Sequence, residues 1–412
     1  MNTHALDRIS QLRALEALRN GVPNGDAVRA LGCAQPQVLD RFRAQLEQAE
    51  HFPPVAVPGT LVSGDFGAGK SHLLEHLEQM ALSRGFVCSR VVISKETPLH
   101  DTAKVVQASL REARFPGGRG SAIHELAERI DYRSPAAGLF VEWASRAPKL
   151  LAATVRLHEQ STDHALKASI LDFWAGEKIA VSQVRAGLRQ IGSYGHFEVK
   201  AIRIRELATL RLELATRLAR AAGLKGWVLL LDEVELIGRY TLLQRAKAYA
   251  ELARWLAKVE DSVPGLATVA AITDDFDIKV LQEKQDLVMI GERLRAKGTD
   301  ADMLIAGRAQ IGMRVIEREK LALYLPTDET LGETYQRVAE LYAGAYGVAP
   351  TLDTSVTSLK RPIRSYIRRW INEWDILRLH PGAILDTEVG EQTTDYAEDA
   401  DMEAGSEAEA EA

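Results

Sequence analysis

The sequence predicts an α/β protein with a parallel core sheet, a helical insertion within the core and a helical C-terminal lid. Three observations carry this. Gly64-Asp65-Phe66-Gly67-Ala68-Gly69-Lys70-Ser71 fits the pattern G-x-x-x-x-G-K-[ST], with a short apolar stretch before it and an apolar-periodic stretch after it. Trp227–Leu231 is an unbroken apolar run ending on Asp232-Glu233. Between the two, residues 100–225 carry helical periodicity in several blocks, broken at Pro116-Gly117-Gly118, Ser134-Pro135 and Ser193-Tyr194-Gly195.

Each element follows in chain order. Residues 1–52 read as an N-terminal helical segment, with Ile9, Leu12, Leu15 and Leu18 at helical spacing and a break at Gly21-Val22-Pro23-Asn24. Pro53, Pro54 and Pro58 suggest a linker. Residues 53–99 open the core: a strand over Thr60–Ser63, a helix over Ser71–Leu82 and a strand over Val87–Ser94. Residues 100–225 form the insertion, without a strand, and Arg203–Ala222 leads back as a helix. Residues 226–326 complete the core with the strand Trp227–Leu231, the helix Leu243–Val259, the strand Ala267–Thr273 and a last strand over Lys320–Leu325. Residues 327–385 form the lid, helical over 328–347 and 359–378.

Composition bounds the setting. The chain has 412 residues, 46% hydrophobic and 26% charged, the balance of an ordinary globular protein. Its net charge of −6 is uneven. Residues 386–412 hold 11 acidic residues and no Lys or Arg, which leaves 51 basic against 46 acidic residues elsewhere. That stretch reads as a disordered, solvated acidic tail, or else as a mimic of nucleic acid that shields a basic site. Two distant cysteines, Cys33 and Cys88, suggest a reducing, cytoplasmic setting rather than a disulfide framework. The charged N-terminus lacks a signal-peptide apolar region, and no apolar run reaches the ~20 residues that span a bilayer, so no membrane association is expected.

The glycine-rich loop is built for phosphates. Its glycines let backbone N–H groups from Gly64, Asp65, Phe66, Gly67, Ala68 and Gly69 close around an anion, and the following helix adds its N-terminal partial charge. Lys70 reaches toward β- and γ-phosphates, and Ser71 offers a hydroxyl to Mg²⁺. Asp232 holds the same Mg²⁺ through water, and Glu233 polarises the attacking water. ATP and Mg²⁺ are thus the expected cofactors. Thr273, ending the next apolar strand, is placed to touch the γ-phosphate or the water. Lys360–Trp370 is the most basic stretch: Arg361, Arg364 and Arg368 share one helical face, and Ile363, Ile367, Trp370, Ile371 and Trp374 the other. It reads as a solvated lid face or as a contact for DNA or RNA phosphates.

This arrangement resembles that of AAA+ P-loop ATPases. In them Thr273 would be a sensor, Arg308, Arg314 or Arg318 an arginine finger reaching a neighbouring copy in an ATP-dependent homo-oligomer, and Arg361 or Arg364 a second sensor opening the lid. Ala17-Leu18-Arg19-Asn20-Gly21-Val22-Pro23, Gly64–Ser71, Gly226–Arg239 and Ile367-Arg368-Arg369-Trp370-Ile371-Asn372-Glu373-Trp374 together resemble the BrxD-type ATP-binding proteins of BREX phage-defence islands, from about residue 10 to 385. The resemblance implies an AAA+-like ATPase encoded beside a large DNA helicase and other defence genes. Lys70, Ser71, Asp232 and Glu233 are the positions that carry over. A helicase or transposition loader, or an ATP-dependent scaffold with poor turnover, are the competing expectations.

Overall fold

The computed structural model describes residues 3–51, 56–350, 361–383 and 395–399. One sheet organises them: β1 (Thr60–Ser63), β2 (Val87–Val92), β3 (Ala113–Arg114), β4 (Trp227–Asp232), β5 (Leu266–Ile272) and β6 (Leu321–Ala322), in the order β3-β2-β4-β5-β1-β6. All neighbours run parallel except β2 and β3. Every residue of β4 and β5 is buried, as parallel strands covered on both faces require.

The period of two along β4 sorts its side chains. Val228 and Leu230 join Val62, Val269 and the helices Pro36–Glu50 and Lys70–Ser83 in one apolar layer. Trp227, Leu229 and Leu231 face the other way, toward the helices Thr102–Arg111, Ile204–Ala221 and Leu242–Trp255. Trp227 also donates its indole N–H to Ser89 Oγ at 3.0 Å, so its polar atom is satisfied inside the core.

The stretch between Pro135 and Gln190 is helical, and its core residues Phe140, Leu151, Trp174 and Leu188 are continuous with the second layer. One strand departs from the strandless insertion expected over 100–225: Ala113–Arg114 pairs antiparallel with β2, too short for any period to reveal. The last core strand is likewise shorter than its apolar run, only Leu321–Ala322. Between β5 and β6, helices Asp286–Lys297 and Asp300–Arg318 pack on Leu242–Trp255, so closely that a Cβ at Gly312 would collide with the Tyr249 carbonyl.

A third cluster unites the two chain ends. Leu15 and Leu18 of the helix Thr3–Asn20 pack with Val338 and Tyr342 of Asp328–Tyr346 and with Trp370, Ile371 and Trp374 of Ile363–Leu379. Both tryptophans lie against the Tyr335 ring, at 4.8 and 5.4 Å between centroids. Pro53, Pro54, Lys360 and most of the acidic stretch (386–394 and 400–412) lie outside the described residues. Where that stretch is described, over 395–399, it differs from the expected solvated tail: Tyr396 is buried against the core.

Candidate active site

β1 ends beside β5, and Gly64 N–H donates to Ile272 O at 3.2 Å as the chain leaves the sheet. Gly67 and Gly69 then take φ of +81° and +100°, which bulkier residues resist. A Cβ on Gly67 would also come within 3.2 Å of Arg364 Cβ and 3.3 Å of Pro362 Cβ, because the lid rests on the loop. Ala68 N–H donates to Asp65 O at 3.0 Å, and Phe66 is exposed at the loop's outer edge. Lys70 starts the following helix and is buried. Its ammonium donates to Gly64 O at 2.8 Å and stands 3.6 Å from Glu235 Oε1.

The strand order sets what lies beside the loop. β5 runs between β1 and β4, so Thr273 at its end sits between the loop and Asp232 at the C-terminal edge of the sheet. Asp232 is buried, accepts the Glu233 N–H at 3.1 Å and pairs with Arg90 at 2.7 Å. Arg90 projects from β2 and lies 3.4 Å from Glu75 of the loop helix; its Nε is buried without a hydrogen-bond partner among the described residues. Glu233 adopts φ of +59°, a strained conformation for a residue with a side chain.

A cleft of about 390 Å³ gathers Ser71, Glu75, Arg90, Asp232, Glu233 and Arg364 and is closed on one side by Gly21-Val22-Pro23. Burial pushes the Glu233 carboxyl above its ordinary range, and the Asp232 charge adds to that. Burial raises Glu235 as well, against the pull of Lys70, and leaves Oε2 of Glu235 without a hydrogen bond among the described residues. Asp65 is raised by partial burial and then by Asp274 and Asp275.

The arginines separate clearly. Arg364 reaches the loop: its backbone N–H donates to Gly67 O at 3.3 Å, its guanidinium lies 5.2 Å from the Phe66 ring centroid, and it donates to Gly21 O. Arg361 is exposed. Arg308 pairs with Asp261 at 2.9 Å, while Arg314 and Arg318 are exposed on the same helix; none of the three lines the cleft. Thr273 does not line it either, and its hydroxyl is bonded to the Tyr396 hydroxyl.

Three residues near this site escaped sequence reasoning. Arg90 was hidden in a strand read only for its apolar content, although a charge inside a buried strand was a usable signal. Glu235 follows Asp232-Glu233 by two residues and lies within Gly226–Arg239, where no pattern singles it out. Tyr396 is the single aromatic residue in the acidic stretch 386–412.

No helix among the described residues is long and apolar enough to cross a membrane. No curated protein and no solved structure matches the chain. Residues 11–114, which span the N-terminal helices, the glycine-rich loop, Arg90 and the edge strand, match the family described as BREX system ATP-binding protein BrxC/D. This match covers the glycine-rich loop and supports the resemblance to BREX ATP-binding proteins, and it leaves Gly226–Arg239 and the C-terminal helix outside.

Proposed function

We propose that the chain is an AAA+-like P-loop ATPase that binds ATP·Mg at Gly64–Ser71 and hydrolyses it with Asp232 and Glu233, as a switch or motor in BREX-type antiphage defence. The observation that carries this is the convergence of the loop, the buried Lys70 and the Asp232-Glu233 pair at one edge of a parallel sheet, in a chain whose loop-bearing segment matches an ATP-binding family. Loop N–H groups and the start of the helix Lys70–Ser83 would hold the phosphates. Lys70 would exchange its bonds to Gly64 O and Glu235 for phosphate oxygens.

The residues suit Mg²⁺. Ser71 and Asp232 line one cleft and offer hard oxygen donors, and when bound the ion would neutralise phosphate charge. Glu233 is half-buried and lifted above the usual carboxylate range, which suits a group that takes a proton from water. Arg364, on the loop, fits a second sensor better than the exposed Arg361. Arg308, Arg314 and Arg318 do not line the cleft of their own chain, and in this reading one of them is a finger for a neighbouring copy in an ATP-dependent homo-oligomer. A helicase or other DNA-handling defence protein is the partner this reading supplies.

One observation favours the scaffold reading, in which ATP is held and turned over poorly. Arg90 pairs with Asp232 and must give way before Asp232 can serve a metal ion. Nucleotide binding tests the shared premise. Lys70→Ala removes the buried cation beside the loop and is expected to abolish ATP binding in calorimetry while the fold is kept. Unchanged ATP affinity would refute the site.

A further inference from the structure

The described acidic residues are not loose. Asp395–Asp399 lie in a groove floored by the 3-10 turn Val234–Arg239, which follows Glu233, and by Phe276 just past β5. The Tyr396 ring is buried, 5.9 Å from the Phe276 centroid and edge-on to it. Gly238 makes the room: a Cβ there would stand 2.6 Å from Tyr396 Cδ1. Three cations hold the peptide. Lys284 Nζ donates to Tyr396 O at 2.6 Å and to Gly238 O at 2.8 Å. Arg245, itself buried and held by Asp286, reaches Glu398 at 2.8 Å. Arg239 pairs with Asp399 at 3.1 Å and accepts the Asp399 N–H on its carbonyl at 3.2 Å.

The hydroxyl bonds give this groove a consequence. Tyr396 Oη donates to Asp275 Oδ1 at 2.8 Å, and a phenol has one proton. The bond between Tyr396 and Thr273 must therefore run the other way, with Thr273 as donor. A threonine hydroxyl also has one proton. While Tyr396 is docked, Thr273 has none left to give to a phosphate or a water.

We propose that this groove is a docking site for an acidic, tyrosine-bearing segment, filled by the chain's own Asp395–Asp399, and that its occupancy withholds the Thr273 hydroxyl from nucleotide chemistry. The latch rests on the ATPase reading above and on the sensor role that the AAA+ resemblance gives Thr273; the docking does not. Arg239, Arg245 and Lys284 choose an acidic peptide, the Gly238 gap admits one ring, and the strap joins the turn after Glu233 to the end of β5. Salt, or a partner offering a similar acidic–aromatic segment, would compete for it.

Full-length protein tests both parts. Amide exchange at position 399 is expected to be slow in the resting protein and fast in the Glu398→Lys/Asp399→Lys variant; exchange at free-peptide rates in the unaltered protein would overturn the docking. Tyr396→Phe keeps the ring and removes the acceptor for Thr273. Its kcat for ATP is expected to rise about three- to tenfold, the worth of one hydrogen bond, with KM unchanged. An equal or lower kcat in Tyr396→Phe, with ATP still bound, would overturn the latch. Absence of ATP binding in both proteins would instead fell the ATPase reading, and exchange at Asp399 would still judge the docking.

Discussion

The residue that most constrains Lys70 is Glu235. It is buried, 3.6 Å from the ammonium, with one oxygen lacking a hydrogen bond among the described residues, and its burial costs more than Lys70 returns. Its charge stabilises Lys70 in the empty loop and would repel an incoming triphosphate. Both effects oppose binding. Glu235→Gln keeps the size and removes the charge, so ATP affinity is expected to rise by about three- to tenfold in calorimetry, a gain of roughly 1 kcal/mol. Weaker binding by that variant would mean that Glu235 orients Lys70 for the phosphates instead of holding it back. Of these two residues, the place of Lys70 beside the loop was legible from spacing alone. The role of Glu235 was not, because nothing in Asp-Glu-Val-Glu says which acid turns inward after a left-handed residue.

At the scale of elements, the insertion carries its own titrating group. His158 is buried, bonded to the Tyr132 hydroxyl at 2.7 Å and 5.0 Å from the Trp174 ring, and burial lowers its pKa to about 4. The unfolded chain takes up a proton near pH 6.5, and the folded one only near 4. Stability from this site is therefore complete above pH 6.5 and is lost as pH falls toward 4, by up to roughly 3 kcal/mol. Denaturation at several pH values should show a steeper loss across that window in the unaltered protein than in His158→Gln. Equal slopes would mean that His158 charges freely in the fold. The helices of this region, and β1, β2, β4 and β5, were readable because their apolar periods are regular or unbroken. Ala113–Arg114 was not, because a two-residue strand depends on its neighbours rather than on its own pattern; the last strand was expected over Lys320–Leu325, but its pairing stops at Leu321–Ala322.

On the scale of the molecule, the two chain ends form one helical body over the loop. Arg364 ties it together, reaching Gly21 O from the lid while its backbone meets Gly67 O. That joining was not visible in the sequence, where residues 1–52 and 327–385 read as separate pieces; their apolar faces are evident, but which face covers which is decided by packing. The same helix turns Arg368 and Arg369 outward. If these two meet DNA phosphates, Arg368→Glu/Arg369→Glu should weaken DNA binding and reduce the slope of log affinity against log salt by about two. ATP affinity should stay unchanged, because neither residue lines the cleft. An unaltered slope would assign any DNA contact to another surface or to a partner protein.

The central claim is that Glu233 activates water against an ATP held beside it. Single-turnover hydrolysis of bound, radiolabelled ATP by Glu233→Gln measures this most directly. The account predicts ATP affinity close to that of the unaltered protein and phosphate release slowed by at least about a hundredfold, the usual contribution of a general base. Phosphate release at the unaltered rate would contradict it.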